Sequence, residues 1–344
     1  MKTSDFTFDL PPRLIAQTPL ERRDASRLMV LDRDAMSRKH MCFTDIPTLL
    51  KPGDCLVVND SRVLPARLFG QIDMGTTPGA TVETLLLNDR GGGLWECLTK
   101  PGRKTGIGVR LTYGGGVLTG VVEGEEPDGR RLIRFTHDGI FLEILDRLGE
   151  MPLPPYIKTR LDDPERYQTV YARAPGSAAA PTAGLHFTPE LLDRLRDGGI
   201  GVHAITLHVG LGTFRPVKVE DVSQHKMHAE YAIIPEETAR AVNAARDAGG
   251  HVIAVGTTVC RTLESFADPD GRLFPCAGTT DIFITPGYRF RALDGLITNF
   301  HLPGSTLIML VSALAGREFI LDSYREAVAE GYRFFSFGDA MLIL

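Results

Sequence analysis

The spacing of apolar and polar positions divides this chain into two kinds of sequence. Between Arg67 and Thr136 the apolar residues fall in short strand-like runs: Arg67–Ile72, Thr81–Leu87, Leu94–Lys100, Val109–Tyr113, Val117–Glu123 and Arg131–Thr136. Glycine turns separate them, at Gly91–Gly93, Gly114–Gly116 and Asp128-Gly129. Short strands at close, even spacing predict a small antiparallel β-barrel, because closure leaves no unpaired edge. Elsewhere helical spacing alternates with strand spacing. Phe141, Ile144, Leu145 and Leu148 share one helical face, and Thr188-Pro189-Glu190 caps and opens a second helix that Gly198-Gly199 closes. A strand near Val202–Leu207, another near Glu230–Ile234, a helix from Glu236 to Gly249-Gly250 and a strand at His251–Val255 follow. The expected fold class is therefore α/β. A large, mostly parallel sheet domain (1–64 and 149–344) is interrupted by an inserted small antiparallel β-barrel domain (65–148).

Composition adds limits. A chain of 344 residues, 43% hydrophobic and 24% charged, is about two globular domains' worth. The net charge of -5 argues against gripping nucleic acid by bulk electrostatics, so any RNA contact has to be a local basic patch. Five scattered cysteines without paired ligand spacing fit a reducing cytoplasm. Met1–Leu14 has no basic start and no apolar core of a signal peptide. The apolar stretch Leu307–Ala315 is far short of the roughly 20 residues of a membrane span, so it reads as a buried helix and no membrane partner is expected.

Several segments carry candidate chemistry. Ala180-Pro181-Thr182-Ala183-Gly184-Leu185-His186 sets an imidazole in a Gly/Pro-bracketed turn, and Leu207-His208-Val209-Gly210 runs a strand out toward Thr213 and Arg215. Two such loops in one α/β domain point to a pocket shared by His186 and His208. Val255-Gly256-Thr257-Thr258 and Thr298-Asn299-Phe300-His301, the latter leading to Ser305, read as strand-to-helix turns, where open α/β sheets hold ligands. Ser305 or Thr306 is the natural N-cap of the helix that follows. Arg261, Glu264 and Ser265 lie opposite the apolar stripe of the helix after Thr258 and are expected to face solvent or a cleft. No G-x-G-x-x-G fingerprint is present, which disfavours a nicotinamide enzyme or an ordinary Rossmann methyltransferase. His225, His228 and Glu230 have the wrong spacing for a helical metal site, so a hydrogen-bonded His/Glu pair is expected and no metal. Asp60, Arg62 and Arg67 follow a strand at Asp54–Val58, near the entrance to the barrel, and Lys100-Pro101-Gly102-Arg103-Lys104 is a compact basic turn.

The chain resembles the S-adenosylmethionine:tRNA ribosyltransferase-isomerases, which build queuosine in bacterial tRNA. The likeness runs through Phe8-Asp9-Leu10-Pro11, Asn59-Asp60-Ser61-Arg62-Val63, the basic turn at 100–104, Pro152–Ile157 and Glu165-Arg166-Tyr167-Gln168. It continues through both His loops, Gly256-Thr257-Thr258, Thr298–Pro303 and Phe335–Met341. Ser61, Cys260 and Ala178 stand where Thr, an aliphatic residue and Val are expected, and none of these changes removes a charge or an imidazole. The resemblance implies transfer of the ribosyl part of S-adenosylmethionine to 7-aminomethyl-7-deazaguanine at the tRNA wobble position (GUN anticodons), with rearrangement to epoxyqueuosine and loss of adenine and methionine. S-adenosylmethionine would be consumed as a co-substrate, with no further cofactor, by a cytoplasmic monomer. His186, His208, Glu230 and Asp60 would be the acid/base groups. Thr213, Arg215, Thr257, Thr258, Arg261, Asn299, His301 and Ser305 would hold the small substrate, the turns at Thr257-Thr258 and Asn299–Ser305 taking its ribose and carboxylate. Arg62, Arg67, Lys100, Arg103 and Lys104 would meet tRNA. Two other classes stand as alternatives: a methyltransferase using the same donor, against which the missing glycine fingerprint counts, and a noncatalytic RNA-binding module, against which the acidic charge and the density of pocket-like loops count.

Overall fold

The computed structural model describes residues 1–75, 78–210, 217 and 219–344. They form two compact units, one of residues 1–61, 155–174 and 180–344 and the other of 62–154 and 175–179.

The larger unit is built on a nine-stranded sheet. In spatial order its strands are Cys276–Thr280, Glu230–Ile234, Gly201–Leu207, Cys55–Asn59, Val252–Val255, Gly295–Asn299, Ala340–Ile343, Arg27–Asp32 and Ser37–Cys42. The four from Gly201–Leu207 to Gly295–Asn299 run parallel, and antiparallel strands flank them. Cys55–Asn59, Val252–Val255 and Gly295–Asn299 are buried at every position, as strands covered on both faces must be. The edge strand Ser37–Cys42 instead exposes most of its side chains and carries Arg38, Lys39 and His40, charges that discourage edge-to-edge pairing.

Local signals place the helices. Thr188 caps Pro189–Asp197 by accepting from Leu191 N at 3.2 Å, with proline in the first turn. Ser305 caps Thr306–Ala315 by accepting from Ile308 N at 3.3 Å. This second helix is buried at seven positions, which accounts for its nearly uninterrupted apolar sequence.

In the smaller unit, Arg67–Asp73, Pro78–Asp89, Leu94–Lys100, Arg131–His137, Leu118–Glu125 and Arg110–Tyr113 pair in that order, and the last returns to the first, closing a six-stranded antiparallel barrel. Alternate residues point inward: Leu118, Gly120 and Val122 are on the buried face of a strand whose intervening side chains are exposed. The helix Phe141–Leu148 packs Ile144 and Leu145 into the same core. All six strand runs expected between Arg67 and Thr136 are present, each with its boundaries shifted by no more than a few residues.

Candidate active site

The strand Cys55–Asn59 has parallel neighbours on both sides. The chain lays Gly201–Leu207 on one side and later crosses to lay Val252–Val255 on the other. Such a reversal opens a crevice beyond the carboxyl ends of the strands. A cavity of about 350 Å³ lies there in the larger unit, and its walls include Thr182, Gly256, Thr258, Asn299, His301 and Phe335. That is a volume suited to a small organic ligand.

Gly256 ends the strand Val252–Val255 with φ +91°, a backbone angle that glycine adopts without strain, and the helix Thr257–Phe266 starts at the cavity wall. First-turn N–H groups have no partner within a helix, so this end favours an anionic or oxygen-rich group. The Thr258 hydroxyl is buried and meets no partner among the described residues. His301 also lines the cavity; it pairs through Nε2 with Thr298 Oγ1 at 3.0 Å, and burial pushes its pKa down to about 3. Ser305 also lines the cavity, but its hydroxyl is engaged, donating to Leu302 O at 2.8 Å while capping its helix. Tyr156 and Phe335 bring two rings to the pocket, 4.4 Å apart between centroids. Neither these two nor Ser336 stood out by residue type. Their only signal was membership in the resembling segments, since an aromatic in a loop reads as core until its neighbours are known.

None of the four expected acid/base groups is among the residues lining this cavity. His186 and His208 were expected in one pocket, yet neither is among the residues lining this cavity. His186 ends the short 3-10 turn Thr182–His186, fully packed, with Nδ1 2.8 Å from Ser26 Oγ and Nε2 3.1 Å from Asn299 Nδ2. Burial, reinforced by the nearby positive charges of Arg333 and Arg23, lowers its pKa to about 3. With both ring nitrogens committed and the cation disfavoured, it is a poor proton carrier at neutral pH. A Gly/Pro-bracketed turn reads as exposed, but Gly184 is packed so closely that a Cβ there would overlap the Tyr171 hydroxyl.

His208 lies just past the strand Gly201–Leu207, next to Val209 in the cavity wall. Its Nδ1 is buried without a partner among the described residues. Burial lowers its pKa while the Asp60 carboxylate pulls it back up. Asp60, at the end of the neighbouring strand, accepts from Thr206 Oγ1 at 2.6 Å and from Arg173 Nε at 2.5 Å. This is the one pair among the four expected groups in which an unengaged imidazole nitrogen and a carboxylate influence each other.

Glu230 and Arg261 form a buried ion pair. His228 Nε2 stands 3.2 Å from Glu230 Oε1, so the His/Glu pair is present, whereas His225 turns to the Phe283 ring at 5.1 Å. Burial opposes ionisation of Glu230, but His228, Arg261 and the Gly210 amide together hold its carboxyl below the usual range. Arg261 was expected to touch substrate and, with Glu264, to face solvent or a cleft. Both are buried instead: Arg261 donates from Nη1 to Glu230 while its Nη2 meets no partner among the described residues, and Glu264 accepts from Tyr288 Oη at 2.9 Å and Ala292 N at 2.8 Å. A polar face opposite an apolar stripe is ambiguous, because buried partners from distant segments can satisfy it as well as water can. Thr213 and Arg215 lie outside the described residues.

In the smaller unit, Arg131 organises the basic turn, donating from Nε to Thr105 O at 2.7 Å and from Nη2 to Gly102 O at 3.0 Å. Lys100, Arg103 and Lys104 remain exposed. Arg67 is paired with Glu83 at 3.1 Å on the barrel wall, and Arg62 opens this unit, in a strand spanning Ser61–Val63.

An open α/β sheet with a pocket beyond the carboxyl ends of its central strands defines a protein built to bind a small molecule. Comparison with known proteins narrows this. The family model for queuosine biosynthesis protein matches residues 3–343. S-adenosylmethionine:tRNA ribosyltransferase-isomerases from Symbiobacterium thermophilum and Clostridioides difficile are 59% and 56% identical, each aligned over 100% of both chains. The crystal structure of S-adenosylmethionine tRNA ribosyltransferase from Thermotoga maritima aligns over 99% of this chain and 100% of its own, at 39% identity and a TM-score of 0.57. The chain belongs to the queuosine biosynthesis protein family.

Proposed function

We propose that the cavity beyond the parallel strands binds S-adenosylmethionine and that His208, beside Asp60, carries the proton transfers of the reaction. The chain is an S-adenosylmethionine:tRNA ribosyltransferase-isomerase: it transfers the ribosyl part of S-adenosylmethionine to 7-aminomethyl-7-deazaguanine in tRNA and rearranges it to epoxyqueuosine. The observation that carries the pocket assignment is the start of the helix Thr257–Phe266 at the cavity wall, where the buried Thr258 hydroxyl is left without a partner among the described residues. A buried hydroxyl without a partner costs free energy unless a ligand atom supplies one.

Carbon beside a sulfonium is acidic and needs a base, and adenine departs more readily when a ring nitrogen is protonated. His208 Nδ1 has no partner among the described residues and is available for that exchange, whereas His186 and Glu230 are already engaged. On this reading tRNA is met by Lys100, Arg103 and Lys104, since Arg67 is paired with Glu83. The substrates are tRNAs with GUN anticodons, modified at the wobble position by a monomer in the cytoplasm. The five free cysteines, three of them buried, support a reducing compartment. Among the described residues no helix is long and apolar enough to cross a membrane.

Incubation with S-adenosylmethionine and tRNA bearing 7-aminomethyl-7-deazaguanine should release adenine and methionine together. S-adenosylhomocysteine as the product would instead mean methyl transfer. Thr258→Val, which keeps volume and loses the hydroxyl, should raise the KM for S-adenosylmethionine by about tenfold.

A further inference from the structure

We propose that His186 is a positioning residue: it locks the Asn299 side chain so that only the amide oxygen is left for the pocket, and this wall therefore selects a hydrogen-bond donor of the ligand. The proposal rests on the pocket being the S-adenosylmethionine site.

The direction of the amide follows from its neighbours. Asn299 donates from Nδ2 to Phe335 O at 3.2 Å, and a carbonyl oxygen can only accept, so the atom facing it has to be the nitrogen. Phe335 itself is fixed. It holds φ +73°, an unfavourable angle for a side chain of this kind, while its N donates to Phe300 O at 3.1 Å and its O accepts from Gly338 N at 2.8 Å. The second N–H of the Asn299 amide points at His186 Nε2, 3.1 Å away, which must then be the bare, accepting nitrogen. The ring proton is left on Nδ1, donated to Ser26 Oγ at 2.8 Å. Protonating the ring would set one donor against another, and burial together with Arg333 and Arg23 keeps it neutral.

With both amide hydrogens spent, Asn299 offers the cavity only Oδ1, to which Thr182 donates at 3.3 Å. Thr182 and Asn299 both line the cavity. An acceptor at this wall repels a carboxylate and suits a ribose hydroxyl, the purine amino group or the α-ammonium group, all donors. The carboxylate of the ligand is thereby directed away from Asn299 and toward the first-turn amides of the helix Thr257–Phe266.

The test separates positioning from proton transfer. His186→Leu removes the acceptor and should raise the KM for S-adenosylmethionine about tenfold, with kcat within about threefold and both limbs of the pH–rate profile in place. His186→Gln restores an acceptor and should recover most of the loss. Should the leucine variant fail to fold, Ser26→Ala, which releases the ring tautomer, should move KM in the same direction by about threefold. Analogues of S-adenosylmethionine lacking the 2′-hydroxyl, the purine amino group or the α-amino group identify the donor: the one that has lost it binds wild type and His186→Leu alike.

An unchanged KM in folded His186→Leu overturns the proposal, and so does loss of a pH limb, which would make His186 a proton carrier. If Thr258→Val leaves KM unaltered, the pocket assignment itself fails. If Thr258→Val raises KM while the His186 series stays flat, the positioning role alone falls.

Discussion

Two imidazoles, set in loops of similar sequence character, end in opposite situations. His186 has a partner on each ring nitrogen, Ser26 and Asn299, and a pKa pushed down to about 3. His208 keeps a buried nitrogen without a partner among the described residues, next to a carboxylate whose charge favours its cation. A histidine with both nitrogens engaged can orient a neighbour, whereas one with a free nitrogen can exchange a proton. Hydrogen-bond accounting thus separates roles that residue type and loop composition leave together.

The contrast is broken most directly at His208. His208→Gln should lower single-turnover adenine release by about 10²–10⁴-fold with little change in melting temperature, the range typical of a general acid or base. Near-normal release would remove His208 from the chemistry and with it the contrast.

Asp60→Asn sharpens the same point through pH. Removing the negative charge that favours the His208 cation should lower its pKa further and move the corresponding limb of the pH–rate profile to more acid pH, by up to about one unit. The rate at neutral pH should fall about tenfold if that charge steadies the imidazolium. A profile that stays in place separates the two residues.

The other side of the contrast is visible in stability. The pKa of His186 is about 3 when folded, against an ordinary value of 6.5, so between those pH values the unfolded chain binds the extra proton. This contribution is therefore complete above about pH 6.5 and lost as the pH falls toward 3. His301 behaves in the same way. Denaturation of His186→Leu across pH 4–6 should therefore show a shallower dependence, by up to about 1.4 kcal/mol per pH unit. An unchanged slope would mean that the His186 ring is charged in the folded protein.

The smallest effect tests whether either histidine has anything to do with RNA affinity. Arg103→Ala with Lys104→Ala should weaken tRNA binding several-fold at moderate salt and reduce the salt slope by roughly one to two, leaving the KM for S-adenosylmethionine alone. His186→Leu and His208→Gln should bind tRNA as wild type does. Equal tRNA affinity in the basic-turn variant would make that turn a solvated loop.

Local rules determined much of this molecule. Alternation located the strand runs of the barrel because its inward and outward faces differ along every strand, and Thr188 and Ser305 marked helix starts because a cap bonds only three residues onward. The resemblance carried by segments such as Thr298–Pro303 gave the family from the sequence itself. What the sequence could not decide was which polar groups meet. His186 finds Ser26 at a separation of 160 positions and Asn299 at 113, and Arg261 finds Glu230 across 31. No periodicity records such distances. Burial and partner choice are properties of the folded chain, and they gave His186 a partner on each ring nitrogen, buried a predicted substrate arginine in an ion pair, and left His208 Nδ1 without a partner among the described residues.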